Sequence, residues 1–385
     1  MRTDKNTEAF WALLRAGLWE TVNENDNQNH NLYDSVDWSE VQRLAEEQSV
    51  VGLVAAGIDV CKTQVSDFKI AKADALQFIG QTLQLEQRNS AMNYFIGVLV
   101  DKMRDAGIYT LLVKGQGIAQ CYAKPLWRSC GDVDFFLSDT NYEKAKAYLI
   151  PLASSVEPEG KYKQHLGMTI DPWVVELHGS LRFGLSKRMD KGLDMIQDDV
   201  FHRGSVRSWM NGNTQVFMLD ANNDVVYVFA HILNHFYKGG IGVRQICDWC
   251  RLLWTYRETL DQKIIESRIR QMGIMTEWKA FGAFAVFYLG LPITAYRLLF
   301  GDEKELKKHQ KKAKRICDFI LEVGNFGHNR DMSYYSQYPF VIRKAISFGQ
   351  RVGDICRHAR IFPLDSLRFF PTIVLNGLRS AADGE

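Results

Sequence analysis

Two aspartates, Asp132 and Asp134, lie two positions apart in the segment DVDFFL. The segment has the apolar alternation of a β-strand, in which residues two apart point to the same face. The two carboxylates are therefore expected to converge on one point. Carboxylate oxygens are the ligands that hard divalent cations prefer, and Mg²⁺ keeps further positions for water and phosphate oxygens. The pair predicts a divalent metal site, with Mg²⁺ or Mn²⁺ as the ion.

A third acid, Glu176, occurs in the predicted strand WVVELHG, where its neighbours are Val175 and Leu177. An ionised carboxylate in apolar surroundings is costly unless a metal or a cationic partner is close to it. A metal or cation is therefore expected near Glu176, and His178 shares its face of the strand. Asp132, Asp134 and Glu176 are the candidate catalytic and metal-binding residues.

Basic residues and glycines near the aspartates suit a phosphate group. Lys114 ends a predicted strand and is followed by Gly115-Gln116-Gly117. Glycines let backbone N–H groups come close to an anion, and the guanidinium of Arg128 offers a fork of donors. We predict that Lys114, Gly115, Gly117 and Arg128 bind the phosphates of a nucleotide.

The elements that position these residues follow from the hydrophobic period. Apolar residues recur at helical spacing in the first hundred residues, at strand spacing in the middle of the chain, and again at helical spacing after it. Asp171-Pro172 and Asn211-Gly212 predict the turns of two hairpins. We predict an α+β fold in which a small mixed sheet, residues 105–219, lies between an N-terminal helical region, 1–104, and a C-terminal helical region with a basic tail, 220–385.

Composition excludes several classes of protein. The 385 residues are 46% hydrophobic and carry 47 Lys+Arg against 45 Asp+Glu, which is typical of a globular chain and unlike a disordered one. A net charge of +2 gives no overall attraction for polyanions. Seven scattered cysteines indicate reduced thiols, and with no evident export signal they predict a cytoplasmic location. The uncharged stretch from 280 to 296 contains glycines and a proline and favours a buried helix over a transmembrane segment.

Three other patterns permit more than one interpretation. The run from Lys304 to Arg315 is rich in lysine, which is typical of a solvated helix face, although RNA binding would also use it. His231 and His235 are four apart on a predicted helix, a spacing that suits zinc, but the glutamate of HExxH is missing. Cys247 and Cys250 form a CxxC without a second pair, so a structural role is favoured over redox or metal chemistry.

The order of the motifs resembles the nucleotidyltransferase fold of DNA polymerase beta. A strand, a glycine-containing turn, a helix, an Asp-x-Asp strand and a later acidic strand follow one another. Within that superfamily the chain is similar to an uncharacterised bacterial nucleotidyltransferase family that has Lys-Gly, here Lys114-Gly115, where relatives have Gly-Ser. The resemblance extends over about residues 8 to 260. It departs from the superfamily at the serine hydroxyl that binds the triphosphate there.

The resemblance implies a role for each motif. Asp132 and Asp134 would bind two Mg²⁺ ions, and Glu176 would complete the site of the ion that activates the acceptor hydroxyl. His178 would orient Glu176 or contact the acceptor. Further possible substrate contacts in the helices that follow the sheet are His231, His235, Arg244 and Asp248.

These implications favour an Mg²⁺-dependent nucleotidyltransferase. It would move a nucleoside monophosphate from a nucleoside triphosphate to a hydroxyl of a small molecule, a saccharide or an RNA end. The alternative is a degenerate nucleotidyltransferase fold that binds a nucleotide or a protein without turnover. The acceptor, the preferred base and the oligomeric state stay open.

The repulsion between neighbouring carboxylates also gives an expectation for stability. Asp132→Asn and Asp134→Asn are each expected to abolish divalent-ion binding. Each is also expected to leave thermal stability near that of the wild type or above it, because removing one of two clustered like charges relieves repulsion.

Overall fold

The computed structural model describes residues 4–28, 32–159, 164–325 and 340–371. It is a mixed α+β structure, 64% helical, in which the described residues form one seven-stranded mixed sheet with helices at both ends of the chain. The predicted fold class is confirmed.

All described strands come from the middle of the chain. They are β1 Leu111–Val113, β2 Asp132–Phe136, β3 Ser155–Val156, β4 His165–Ile170, β5 Trp173–His178, β6 Val206–Asn211 and β7 Thr214–Leu219. Their order in the sheet is β3-β4-β5-β2-β1-β7-β6. β2 runs parallel to β5 and β1 parallel to β7, and the other neighbours are antiparallel. The Asp-x-Asp strand therefore lies at the centre of the sheet.

Helices precede, interrupt and follow the sheet. Those before it are α1 Lys5–Trp19, α2 Glu24–Asn27, α3 Trp38–Glu47, α4 Val51–Gln64 and α5 Lys72–Asp105. Those between strands are α6 Gly115–Ala119, α7 Asp139–Leu149 and α8 Lys187–Arg203. Those after it are α9 Ala221–Lys238, α10 Val243–Thr255, α11 Gln262–Met272, α12 Met275–Phe287, α13 Ile293–Tyr296, α14 Glu303–Lys308, α15 Gln310–Val323 and α16 Phe340–Ile361.

Both predicted hairpins are present. β4 and β5 pair antiparallel across Asp171-Pro172, so that Ile170 lies opposite Trp173. β6 and β7 pair across Asn211-Gly212. Gly212 has a φ of 61°, a value that glycine adopts without the steric cost of a side chain.

The two faces of the sheet pack against different helices. Val133 and Phe135 of β2 point to the back face, where they form a cluster with apolar residues of α5 and α7 that we call the back cluster. Phe136 of β2 points to the opposite, front face and joins a second, larger cluster. Because side chains alternate along a strand, Asp132 and Asp134 also lie on the front face.

The larger cluster connects the front face to both helical regions. It includes Phe10 of α1, Val113 of β1, Trp249 of α10 and Ile320 of α15, all buried. The boundaries at 104/105 and 219/220 stay predictions, since this one cluster extends across both.

Two predictions about the C-terminal helices can be compared with the structure. The uncharged stretch from 280 to 296 is divided between α12 and α13, and among the described residues no helix has the length and apolar content needed to cross a membrane. The basic run from 304 to 315 lies on α14 and α15, where most of its charged side chains are exposed and Leu306, Ala313 face inward. This arrangement is that of a solvated helix face.

α1 and α4 cross at unusually close range because glycines stand at the contact. A Cβ atom on Gly57 would lie 1.9 Å from the carbonyl oxygen of Leu13, and one on Gly17 would lie 1.8 Å from that of Leu53. No larger residue fits either position unless the backbones move apart.

We therefore predict that Gly57→Ala lowers the free energy of unfolding by about 1–3 kcal/mol, because the added methyl group overpacks the crossing. Urea denaturation followed by circular dichroism measures the change. The matched control is Gly80→Ala on α5, where a Cβ meets no atom within 4 Å. The control is expected to gain about 0.5–1 kcal/mol from the better helix propensity of alanine. If Gly57→Ala behaves like the control, the close crossing is wrong.

Candidate active site

Three carboxylates meet on the front face of the sheet, where β2 and β5 run in parallel. Asp134 lies opposite Glu176 in the register, and Asp132 lies opposite Val174. The ligand oxygens of Asp132, Asp134 and Glu176 all lie within 4.8 Å of one another. Burial of Val133 in the back cluster fixes the direction in which the aspartates point. The pairing of two strands thus brings together the three acids that the sequence singles out.

Asp132 is the acid whose charge is least compensated. Within the described part of the chain, no hydrogen bond or ion pair reaches its carboxylate. The negative charge of Asp134, and then burial, raise the pKa of Asp132, and the positive charge of Lys114 offsets only part of this effect. A divalent cation bound to these oxygens would remove the repulsion. The donor set, three carboxylates, fits Mg²⁺ or Mn²⁺.

Lys114 supplies a positive charge from the end of β1. Its Nζ lies 2.8 Å from Asp134 Oδ1, and the side chains of Lys114 and Asp134 are 14% and 2% exposed. Burial lowers the pKa of Lys114, but the negative charge of Asp134, together with that of Asp132 and Glu176 and the nearby Tyr227, raises it above its ordinary value, so the ammonium group stays charged. The backbone of Lys114 has a φ of 61°, which costs a residue with a side chain about 1–3 kcal/mol. The turn holds the lysine beside the aspartates in spite of this strain.

Two histidines complete the cluster. His178 Nε2 lies 2.8 Å from Asp134 Oδ1, and His165 Nε2 lies 3.1 Å from Glu176 Oε2. Burial lowers the pKa of His178, yet its hydrogen bonds to Asp134 and Glu176 raise it above the ordinary value. Burial raises the pKa of Glu176, and the hydrogen bonds from His165 and His178 hold it well below its ordinary range. Glu176 is therefore ionised.

His165 was not among the residues singled out from the sequence. The signal was available, however, because the two-residue turn Asp171-Pro172 fixes the register of its hairpin. Counting outward from Ile170 and Trp173 places His165 directly opposite His178, as the structure has it.

Arg128 is paired with an acid outside the cluster of three carboxylates. Its Nε and one terminal nitrogen lie 3.0 Å and 2.6 Å from the two carboxylate oxygens of Asp248 on α10, and both side chains are buried. The hydroxyl of Tyr122 donates a further hydrogen bond of 2.8 Å to Asp248. Arg128 was predicted to bind phosphate. In the structure, the two guanidinium nitrogens that would form a fork around an anion donate to Asp248 instead.

Arg244 adds a second guanidinium to the same acid. Its terminal nitrogen lies 3.8 Å from Asp248, one helical turn along α10. Burial, and then the positive charge of Arg128, lower the pKa of Arg244. Arg128 and Arg244 thus share one carboxylate, so these three side chains together carry an excess of positive charge. The charges of Arg244 and Asp132 interact, so the excess lies close enough to affect the acidic cluster.

The glycines after Lys114 are buried and contribute to packing. A Cβ on Gly117 would lie 2.7 Å from the sulfur of Met218 on β7, so Gly117 allows α6 to lie against the sheet. The side-chain amide of Gln116 donates to Asn89 Oδ1 on α5 at 2.8 Å. Gly115 has a φ of 48°, which forms the turn that follows Lys114.

His231 and His235 lie on α9 with their Nε2 atoms 2.9 Å apart. Burial, and then the positive charge of Lys114, lower the pKa of both histidines, that of His235 to about 4. Both are therefore neutral at pH 7. Among the described residues, no group of three metal-ligating side chains includes either histidine, so the pair alone gives no zinc site.

The comparisons with known proteins identify the family. The model of a family described as uncharacterised nucleotidyltransferase matches residues 34–285. The chain belongs to this nucleotidyltransferase family. No curated protein and no solved structure matches the chain. The resemblance noted from the motifs is confirmed at the level of the family, although the match begins later and ends later than the motifs indicated.

The match to the nucleotidyltransferase family covers the whole candidate site. Every residue predicted for the site lies between Lys114 and Asp248, inside the matched range. The match begins just before α3 and ends within α12, so α1, α2 and the helices from α13 onward lie outside it. The site is thus contained in the part of the chain that defines the family.

The structure separates the two aspartates in their effect on stability. Asp132→Asn removes a repelled charge and is expected to raise the free energy of unfolding by about 0.5–1 kcal/mol at pH 7. Asp134→Asn leaves Lys114 without its partner and is expected to lower it by about 1–3 kcal/mol. The expectation from the sequence, that the stability of both variants is near that of the wild type or above it, therefore changes for Asp134. Urea denaturation of the two variants measures the difference.

The gain from Asp132→Asn should depend on pH. Because the folded-state pKa of Asp132 is raised above the unfolded value of about 3.9, the wild type is destabilised only where Asp132 is ionised. The gain is complete above the raised pKa and is lost as the pH falls through it towards about 3.9. Equal destabilisation by both variants at every pH would contradict this electrostatic description.

Proposed function

We propose that the protein is an Mg²⁺-dependent nucleotidyltransferase that transfers a nucleoside monophosphate from a nucleoside triphosphate to a hydroxyl group. The observation that carries the proposal is the convergence of Asp132, Asp134 and Glu176 on one point in a chain of the nucleotidyltransferase family. In this proposal the acceptor hydroxyl belongs to a small molecule, a saccharide or an RNA end. The cytoplasmic location stays a prediction from the cysteine content.

The three acids would hold the divalent ions of such a reaction. When bound, Mg²⁺ or Mn²⁺ would neutralise charge on the α-phosphate and lower the pKa of the acceptor hydroxyl. Asp132 and Asp134, two apart on β2, would serve as shared ligands, and Glu176 would complete the ion site on the acceptor side. His178, hydrogen-bonded to Asp134 and Glu176, would keep both carboxylates in position.

The chemical step is an in-line displacement at phosphorus. The acceptor oxygen forms a bond to the α-phosphorus while the bond between the α-phosphorus and the bridging oxygen breaks, and pyrophosphate leaves with the electron pair. The acceptor proton passes to solvent or to a carboxylate of the site. Fixed positive charge is needed where negative charge builds up on the departing pyrophosphate.

Two sources of positive charge suit the phosphates. Lys114 is held as a charged ammonium group beside Asp134, and it would turn to the phosphates once a metal ion takes over the charge of Asp134. Arg244 shares Asp248 with Arg128 and so belongs to a group of side chains with excess positive charge. Because Arg128 is buried against Asp248, we propose that it positions α10 and that Arg244 is the phosphate contact.

A specific observation also favours the alternative of a binding module without turnover. Asp134 Oδ1 already has two partners at 2.8 Å, Lys114 Nζ and His178 Nε2. A carboxylate that is satisfied in this way by protein groups needs no metal to be stable. An RNA acceptor is supported only by the exposed basic run on α14 and α15.

Binding of nucleotide with metal tests the proposal. With Mg²⁺ or Mn²⁺ and one of ATP, CTP, GTP or UTP at about 100 times its Kd, the melting temperature is expected to rise by about 3–5 °C, because ligand that binds only the native state stabilises it. The rise should require both the metal and the nucleotide. Differential scanning fluorimetry measures it.

The double variant Asp132→Asn, Asp134→Asn should lose this shift. Asp67→Asn, which changes an exposed aspartate between α4 and α5, is the matched control and should keep it. A shift that persists in the double variant, or that appears with nucleotide in the absence of metal, would favour the binding module over the transferase.

A further inference from the structure

A second group of metal-ligating side chains lies beside the three carboxylates, towards β4. His165 on β4 and Glu176 and His178 on β5 have ligand atoms within 4.8 Å of one another. Glu176 Oε2 lies 3.1 Å from His165 Nε2 and 3.4 Å from His178 Nε2. The centroids of the two imidazole rings are 4.7 Å apart. Two ring nitrogens thus converge on one carboxylate oxygen.

The chemistry of this group matches a different cation from that of the carboxylates. Imidazole nitrogens suit transition metals such as Zn²⁺, whereas Mg²⁺ prefers oxygen ligands. Two ligands on a tetrahedral Zn²⁺, with bonds of about 2.0–2.1 Å, are about 3.3 Å apart. The distances of 3.1 Å and 3.4 Å from Glu176 to the two histidines lie on either side of that value.

The group is held firmly and is open to solvent. His165 lies directly opposite His178 in the hairpin of β4 and β5, so the pairing of the strands holds the backbones of the two histidines side by side. The side chains of His165 and Glu176 are 38% and 28% exposed. An ion can therefore enter from solvent, and three protein ligands leave a fourth position for water or a substrate oxygen.

We propose that His165, Glu176 and His178 form a transition-metal site for Zn²⁺ or a similar ion, distinct from the carboxylate site. His165 belongs only to the transition-metal site, Asp132 belongs only to the carboxylate site, and Glu176 is shared. The proposal stands on the spacing of these three side chains and does not require that the protein transfer nucleotides.

One consequence of the shared ligand does rest on the proposed function. An ion bound by His165, Glu176 and His178 would withdraw Glu176 from the carboxylate site. Zn²⁺ would then weaken Mg²⁺-dependent nucleotide binding in the wild type and would do so less in His165→Ala. This regulation is separate from the existence of the site.

Titration of the metal-free, full-length protein with Co²⁺ tests the site, because Co²⁺ in a tetrahedral site absorbs visible light far more strongly than octahedral Co²⁺. The wild type is expected to show this absorption at one equivalent. His165→Ala should weaken Co²⁺ binding at least about tenfold. Asp132→Asn should lose ion binding at the carboxylate site but keep the visible absorption of tetrahedral Co²⁺, because Asp132 is not a ligand of the transition-metal site. His202→Ala, which removes a histidine that is 77% exposed on α8, is the matched control and should have no effect.

Three results would overturn the proposal: no visible band in the wild type, binding unchanged in His165→Ala, or a band lost in Asp132→Asn.

As a second measurement that needs no variant, X-ray absorption of the Zn²⁺-loaded wild type should show two imidazole nitrogens bound to the metal, and a shell of oxygens alone would contradict the site. A failure of nucleotidyl transfer is distinguishable, because it removes the Mg²⁺-nucleotide shift and leaves the Co²⁺ absorption in place.

Discussion

The carboxylates on the front face of the sheet repel one another, and the arrangement of the rest of the site compensates this repulsion. Two charges about 4 Å apart near a protein surface interact by about 4 kcal/mol, so a cluster of three acids needs compensation. Lys114 and His178 both contact the same oxygen of Asp134, and His165 contacts Glu176. The charge of Asp132 is compensated only in part. That charge is the physical reason to expect a divalent cation.

The scaffold keeps the acids together at the expense of local strain. Parallel pairing of β2 with β5 sets Asp134 beside Glu176. The back cluster disfavours a shift of register, because a shift by one residue would turn the acids towards this apolar cluster and remove Val133 and Phe135 from it. The turn at Lys114 has an unfavourable backbone conformation that is kept because it holds the lysine over the acids. On the front face, α9 adds the neutral histidines His231 and His235, and α10 adds Asp248, which two guanidinium groups share.

What could be predicted from the sequence depended on short-range regularity. The alternation of side chains along a strand predicted that Asp132 and Asp134 share one face. The order of the motifs predicted the nucleotidyltransferase family, which the family model confirms. The register of one hairpin would have given His165. By contrast, the partner of Arg128 is Asp248, which is 120 residues away, and nothing local in the sequence indicates that contact.

The packing contacts of individual residues could not be predicted from the sequence either. Gly117 has the residue type of a phosphate-binding loop, yet its place is set by the sulfur of Met218 on a neighbouring strand. Only the sheet order, in which β7 follows β1, brings the two together. A residue type thus indicates a chemical capacity, and tertiary contacts decide whether that capacity is used for binding or for packing.

The most direct measurement is a crystal structure with Mn²⁺ and a non-hydrolysable nucleoside triphosphate, in which anomalous scattering locates the ion. If the aspartates hold the ion for nucleotidyl transfer, Mn²⁺ is expected to be bonded to carboxylate oxygens of both Asp132 and Asp134 at about 2.1–2.2 Å, with the triphosphate on the same ion and Lys114 moved from Asp134 to the phosphates. A structure in which Lys114 and His178 still occupy Asp134, with no Mn²⁺ at the aspartates, would contradict this role of the aspartates.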